Sequence, residues 1–152
     1  MKQQSQGGFL ISKIHQLMGR IFNRMLKDRH ITELNNAQGR IMFVVWREDG
    51  IPISKLAAKT GLGKSTLTSM LDRLEKSGFL CRTPSRDDRR QILVCRTEKD
   101  KSFQSPYVQV SQDMTRVFYR DFSETEIARF EADLERILVN LISADKNQRR
   151  LK

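Results

Sequence analysis

Cysteine is scarce in this 152-residue chain, and Cys81 and Cys95 are the only two. They cannot build a disulfide framework and their spacing fits no metal motif, so a reducing cytoplasm is the expected setting. No apolar run approaches membrane-spanning length, and Met1 to Gly8 lack the apolar centre of a signal peptide, so no membrane partner is expected. The two histidines, His15 and His30, have no second His, Cys or paired carboxylate at ligand spacing and read as packing or surface groups. Nucleophile–base pairings and glycine-rich phosphate loops are also missing. Gly61-x-Gly63-Lys64-Ser65 lacks both the preceding strand and the glycine spacing of such a loop. These absences argue against an enzyme, a metal site and a bound cofactor. There is no internal repeat and no low-complexity segment.

What remains is a basic, globular composition. Hydrophobic residues make up 38% and charged residues 30%, enough for one domain with a core. The net charge of +10 suggests a polyanionic partner, because cations that neutralise phosphates release counterions. Its distribution is uneven. Residues 1–50 hold eight basic against four acidic side chains, residues 51–101 twelve against six, and residues 102–152 eight against eight. The balanced final third points to a surface facing protein or solvent rather than an anion.

Periodicity divides the chain further. Leu10, Ile14, Leu17, Met18, Ile21 and Met25 mark an amphipathic helix from Phe9 to about Lys27, and a second helix is expected over Asn36–Arg47. Ile51-Pro52-Ile53 suits an edge strand or linker, since proline cannot donate to a central ladder. Ser54 reads as the N-cap of a short helix over Lys55–Lys59 closed by Gly61. Leu67, Met70, Leu71 and Leu74 then define a third helix that stops at Gly78. Two β-prone runs, Phe79–Thr83 and Gln91–Cys95, flank a polar loop over Pro84–Arg90 and form a hairpin. Past Thr97 a helical stripe runs through Phe103, Tyr107, Val110, Met114 and Val117, and Ser123-Glu124-Thr125-Glu126 is a capping box before a last amphipathic helix. The expected fold is mainly α with a small β-hairpin: a winged helix-turn-helix over residues 34–101, with dimerisation helices over 1–33 and 102–152. Ile14, Leu17, Ile21, Val110, Met114, Phe130, Leu134, Ile137 and Leu141 are the candidate dimer residues.

A helix that enters a major groove needs short polar side chains in its first turns, where bulk would hold the backbone away from base edges. Lys64, Ser65, Thr66, Thr68, Ser69 and Arg73 supply that face, with Ser54 and Lys55 on the preceding helix. Arg86, Arg89 and Arg90 crowd the hairpin loop, where an arginine can reach into a minor groove. Asp88 is assigned a supporting role, pairing with a neighbouring arginine to fix the loop. The partner implied is double-stranded DNA with a pseudo-palindromic operator, bound by a homodimer.

The stretch Lys64-Ser65-Thr66-Leu67-Thr68-Ser69-Met70-Leu71-Asp72-Arg73-Leu74-Glu75-Lys76-Ser77-Gly78-Phe79-Leu80-Cys81-Arg82, followed by Asp88-Arg89-Arg90, closely resembles the multiple-antibiotic-resistance regulator (MarR) family. The resemblance implies a homodimer whose first and last helices interlock, one wing per subunit, and a repressor released by a small-molecule effector. It also implies a structural aspartate at Asp88 and a minor-groove arginine at Arg90. Thr97-Glu98-Lys99 matches the family's threonine-led entry to its fifth helix. Arg96 stands where a leucine is usual and Asp100 where a glycine is usual, departures that bear on hairpin packing and on the helix start. Trp46 and Phe43 either line an effector pocket, as the resemblance suggests, or pack in the core; the effector-binding residues themselves stay unassigned. A redox- or metal-responsive variant of the same regulator and a winged-helix protein-interaction module are the alternatives. Cys81 and Cys95 fall in expected strands, whereas the family's thiol sensors carry their cysteine in the first helix.

Overall fold

A computed structural model describes residues 4–150. Of the polar opening segment, Met1, Lys2 and Gln3 lie outside the described residues, as do Leu151 and Lys152. The elements are α1 (Gly7–Asp28), α2 (Asn36–Arg47), β1 (Ile51–Pro52), α3 (Ile53–Thr60), α4 (Lys64–Lys76), β2 (Leu80–Pro84), β3 (Ile92–Arg96), α5 (Glu98–Phe118) and α6 (Glu124–Arg150). The class is as expected, mostly helical with one small antiparallel sheet. The chain forms two compact units, one ending at Met114 and one beginning at Thr115.

In the first unit the core is built from Phe22 and Leu26 of α1, Ile41, Met42 and Val45 of α2, Leu56 of α3, and Leu67, Leu71 and Leu74 of α4. The sheet adds Leu80 and Val94, and α5 adds Tyr107, Val110 and Met114. Each such aliphatic side chain, fully buried, contributes about 1.5–3 kcal/mol. Asn35 opens α2: its side chain accepts from the Gln38 amide at 2.8 Å, while the Gln38 side chain accepts from the Asn35 amide at 3.0 Å. Gly39 is required by close approach, since a Cβ there would lie 1.6 Å from the Tyr107 hydroxyl oxygen. That hydroxyl donates to the Asn35 carbonyl at 3.2 Å and so pins α5 against the start of α2. Burial pushes the Tyr107 phenol well above its ordinary range, so it is a permanent donor at neutral pH.

The sheet order is β1-β3-β2, all antiparallel, with Ile51 opposite Val94 and Leu80 opposite Arg96. Pro52 sits on the edge strand, where its missing N–H costs no ladder bond. Capping by Ser54 is corrected. Pro52 holds the end of β1 extended at φ −61° and ψ 143°, and the chain turns directly into α3 at Ile53, leaving Ser54 inside the first helical turn with no side-chain cap bond. Gly61 ends α3 in the left-handed region at φ 68° and donates to the Ala57 carbonyl. Both hairpin strands begin one residue later than the periodicity suggests, and the connecting loop is Ser85–Gln91.

Val110 and Met114 need a second correction. They are buried in the core of the first unit, because the stripe they belong to packs inward within this chain, and neither is on a surface. Ile21 also packs against that core, while Ile14 and Leu17 stay exposed.

In the second unit Ser123 caps α6 as the sequence suggests. Its amide donates to Glu126 Oε2 at 2.7 Å and its hydroxyl accepts from the Glu126 amide at 3.2 Å. These bonds hold the Glu126 carboxyl below its usual range. Phe130 meets Phe118 and Tyr119 edge-on or tilted, and Tyr119 donates to Glu131 at 2.8 Å. No described residue of α6 is buried, although it carries Ile137, Leu138, Val139, Leu141 and Ile142.

Candidate nucleic-acid interface

Helix α4 separates its two sides cleanly. Leu67, Leu71 and Leu74 are buried, while Lys64, Ser65, Thr66, Thr68, Ser69, Asp72, Arg73 and Lys76 are exposed. Gly63 stands at its N-cap with no side chain closing the first turn, so the amides there face outward toward any anion that approaches. Thr68 turns its hydroxyl back to the Lys64 carbonyl at 2.9 Å, which keeps its methyl and hydroxyl low on the helix surface.

The hairpin beside it has two differently charged ends. At the base, Arg82 of β2 donates through Nε to Glu75 at 2.9 Å and through Nη2 to Asp72 at 2.6 Å. Glu75 first and Asp72 second push the Arg82 guanidinium up, and the two acids of α4 share this one cation. Ser65, Ser69, Asp72 and Lys76 recur at the spacing of one helix face, so the hairpin base is tied to the face that carries the two serines. At the tip, Arg86, Arg89 and Arg90 are exposed, and no ion pair involves them among the described residues.

The tip is shaped by its acids and by Ser85. Ser85 is nearly buried, and its hydroxyl accepts from the amides of Asp87 and Asp88 at 3.3 Å each. The Asp88 carboxylate accepts from the Arg90 amide at 3.0 Å, and its carbonyl accepts from Gln91 at 3.0 Å. Asp88 therefore supports the loop through backbone, not through a guanidinium as expected. An Asx-type bond to an amide two residues on is geometrically closer than any side chain, and it leaves the Arg90 guanidinium uncommitted.

Lys55 is placed differently from the tip arginines. It donates to Glu48 at 2.6 Å and Lys59 does so at 3.1 Å; these two bonds hold the Glu48 carboxyl low, Lys55 being the larger influence.

Sequence reasoning missed the part that holds the hairpin to the helices. Asp100 is fully buried and accepts from Trp46 Nε1 at 2.6 Å and from Arg96 Nε at 2.7 Å, while Arg96 also reaches Gln104 at 2.7 Å. The two departures at Arg96 and Asp100 compensate each other: a largely sheltered guanidinium meets a buried carboxylate. Their spacing of four residues was the signal available beforehand. Thr97 completes the junction, donating to the Gly78 carbonyl at 2.6 Å and accepting from the Asp100 amide at 3.2 Å.

A cleft of about 600 Å³ lies within the first unit, walled by Phe22, Phe43, Tyr107, Arg40, Arg47 and Lys59 among others. Phe43 lines it with the Arg47 guanidinium 4.1 Å from its ring centre. Trp46 does not line it and is held by Asp100, so the two aromatic residues divide between pocket and core. His15 is exposed on α1, and His30 occupies a left-handed turn at φ 58° after it. Among the described residues no three His, Cys, Asp or Glu side chains gather as a metal would need, and no helix is long and apolar enough to cross a membrane.

Helix, turn, helix and arginine-tipped hairpin, in this order and with this sheet, define a winged helix-turn-helix protein. Residues 34–92 match the model of the MarR family, and over this domain the chain is similar to that family. The chain is 31% identical to the HTH-type transcriptional regulator TtmR of Methylorubrum extorquens over 64% of its own length and 48% of that protein's. It spans less than two thirds of the length of the first curated relatives it matches. Among solved structures it is similar to a cysteine-to-serine mutant of MarR from E. coli complexed with operator DNA, with TM-score 0.77 and 26% identity over 86% of this chain and 92% of that one. It shares the fold of Bordetella bronchiseptica BpsR, whose DNA binding is regulated by 6-hydroxynicotinic acid, with TM-score 0.79 and 17% identity over 90% of this chain and 97% of that one.

Proposed function

We propose that this chain is a cytoplasmic transcriptional repressor that binds double-stranded DNA sequence-specifically as a homodimer and is released by a small-molecule effector. The observation that carries the reading is the contrast within one hairpin: the basal arginines are consumed by carboxylates, while the three at the tip are exposed and form no ion pair among the described residues. In this reading Ser65, Thr66, Ser69 and Arg73 face base edges, and Lys64, Ser54 and Lys55 face phosphates. Arg90 enters the minor groove, with Arg86 and Arg89 on the flanking backbone.

The exposed apolar residues gather on α1, at Phe9, Leu10, Ile14 and Leu17, and on α6, at Ile137, Leu138, Leu141 and Ile142. Faces of this kind call for a cover, and a second copy of the chain supplies one. A dimer engages two half-sites only when its α4 helices sit about one DNA turn, ~34 Å, apart, so an effector that alters the spacing weakens both at once. The cleft suits a small aromatic acid: Phe22, Phe43 and Tyr107 offer ring faces, and Arg40, Arg47 and Lys59 offer cations to a carboxylate. The neighbour's regulation by a hydroxynicotinic acid supports that chemistry.

The test is selection of bound duplexes from random DNA, followed by titration of the enriched sequence at several salt concentrations. An inverted repeat with half-sites one turn apart, bound with log affinity falling linearly in log salt, is expected. Failure to enrich any sequence, or affinity indifferent to salt, overturns the reading and favours a protein-interaction module.

A further inference from the structure

Cys81 of β2 and Cys95 of β3 are directly opposite each other in the antiparallel ladder, and both are free and half-buried. Strand alternation puts them on one face of the hairpin, the face opposite the buried Leu80 and Val94. The Ser85 amide donates to the Gln91 carbonyl at 2.9 Å, one bond of a hydrogen-bonded rung, and the Arg82 amide turns out of the ladder to Glu75, as alternation from that rung requires. Four residues back along β2, Cys81 and Cys95 occupy a rung of the same kind. The Cα atoms of such a rung stand about 5.5 Å apart. A disulfide spans roughly 4.4–6.8 Å between Cα atoms.

We propose that the Cys81–Cys95 rung is a reversible dithiol–disulfide site that staples the base of the hairpin when a hydroperoxide oxidises it. One thiolate attacks the peroxide oxygen, the O–O bond breaks, and a sulfenic acid forms as hydroxide leaves and is protonated to water. The facing sulfur then attacks the sulfenic sulfur, the S–S bond forms, the S–O bond breaks, and a second water carries off the remaining proton. Two thiols lose two electrons and two protons, and hydrogen peroxide becomes two waters. Thr83, whose Oγ1 lies 3.7 Å from Cys95 Sγ, is a donor available to a thiolate there. Burial, with Cys95 second, pushes the Cys81 thiol up. The rung is flanked by Arg82 and Arg96, whose pairs anchor the hairpin to α4 and α5, so a staple there acts on the wing's mount.

The experiment treats the reduced full chain with hydrogen peroxide, blocks remaining thiols with N-ethylmaleimide, and maps peptides by mass without reduction. Both thiols are expected to disappear together into a linked Cys81–Cys95 peptide pair within one chain, restored by dithiothreitol. In C81S and in C95S the surviving cysteine is expected to accumulate as a sulfenic acid that dimedone traps. Crosslinks between chains, independent over-oxidation of each thiol in the unsubstituted protein, or two thiols that stay free would each overturn the proposal. The readout is chemical and involves no DNA, so it succeeds or fails independently of the regulator reading.

Discussion

The hairpin uses the same side chain in two opposite ways. At its base Arg82 and Arg96 are largely sheltered and each is held by carboxylates, Asp72 and Glu75 in one case and the fully buried Asp100 in the other. At its tip, a few residues away, Arg86, Arg89 and Arg90 are exposed and form no ion pair among the described residues. Net charge therefore says little about which cations are available. What matters is whether the fold supplies a counter-charge: where it does, arginine is mortar, and where it does not, arginine awaits a polyanion.

The strongest way to break this comparison is at Arg96. Replacing it with leucine leaves the Asp100 carboxylate buried with only Trp46 to partner it, and should cost about 3–5 kcal/mol of stability in a urea titration. Adding Asp100→Ala removes the stranded charge, and the double variant should recover more than half of that loss. A double variant no more stable than Arg96→Leu would mean the pair is not the reason for the cost. At the tip the effect should invert. Arg90→Ala should change stability by no more than about 0.5 kcal/mol. In a mobility-shift titration it should weaken specific DNA binding by roughly 1–3 kcal/mol, about 5- to 150-fold.

Arg82 lies between these cases, with a quarter of its side chain exposed. Arg82→Ala should lower stability by about 1 kcal/mol and also weaken DNA binding, because Asp72 and Glu75 then present bare charge beside the serines of α4. Thermal unfolding and anisotropy on the same sample would separate the two losses. The smallest effect belongs to Glu48, the half-buried acid that holds Lys55 and Lys59. Glu48→Gln should tighten DNA binding by roughly twofold by freeing two cations. Acid should do the same to the unsubstituted chain. The folded-state pKa of Glu48 lies below its ordinary value, so its pairing is fully present above that value and is lost as pH falls through the depressed one. Salt slopes measured at neutral pH and at successively lower pH, below the ordinary glutamate range, would show the change.

Much of the architecture could be read in advance because it follows from local rules. The span Asn36–Arg47, the stop at Gly78 and the Ser123 capping box all rest on residues within four positions of one another. The hydroxyl-rich face of α4 and the arginines of the tip were legible for the same reason. What could not be read depends on which partner covers a surface. An apolar stripe through Val110 and Met114 announces burial but not against what, and the fold spends it internally. Arg82 finds its acids seven and ten residues back, and Trp46 finds Asp100 across fifty-four. The facing of Cys81 and Cys95 depends on strand register, which a one-residue shift at the hairpin's start was enough to obscure.

The most direct measurement is the salt dependence of DNA affinity for the unsubstituted protein against a variant with Arg86, Arg89 and Arg90 all changed to alanine. If the tip arginines meet phosphates, the slope of log affinity against log salt should fall by roughly 0.9 for each phosphate no longer neutralised, up to about three such steps, with the fold intact by circular dichroism. An unchanged slope in a folded triple variant would contradict the account.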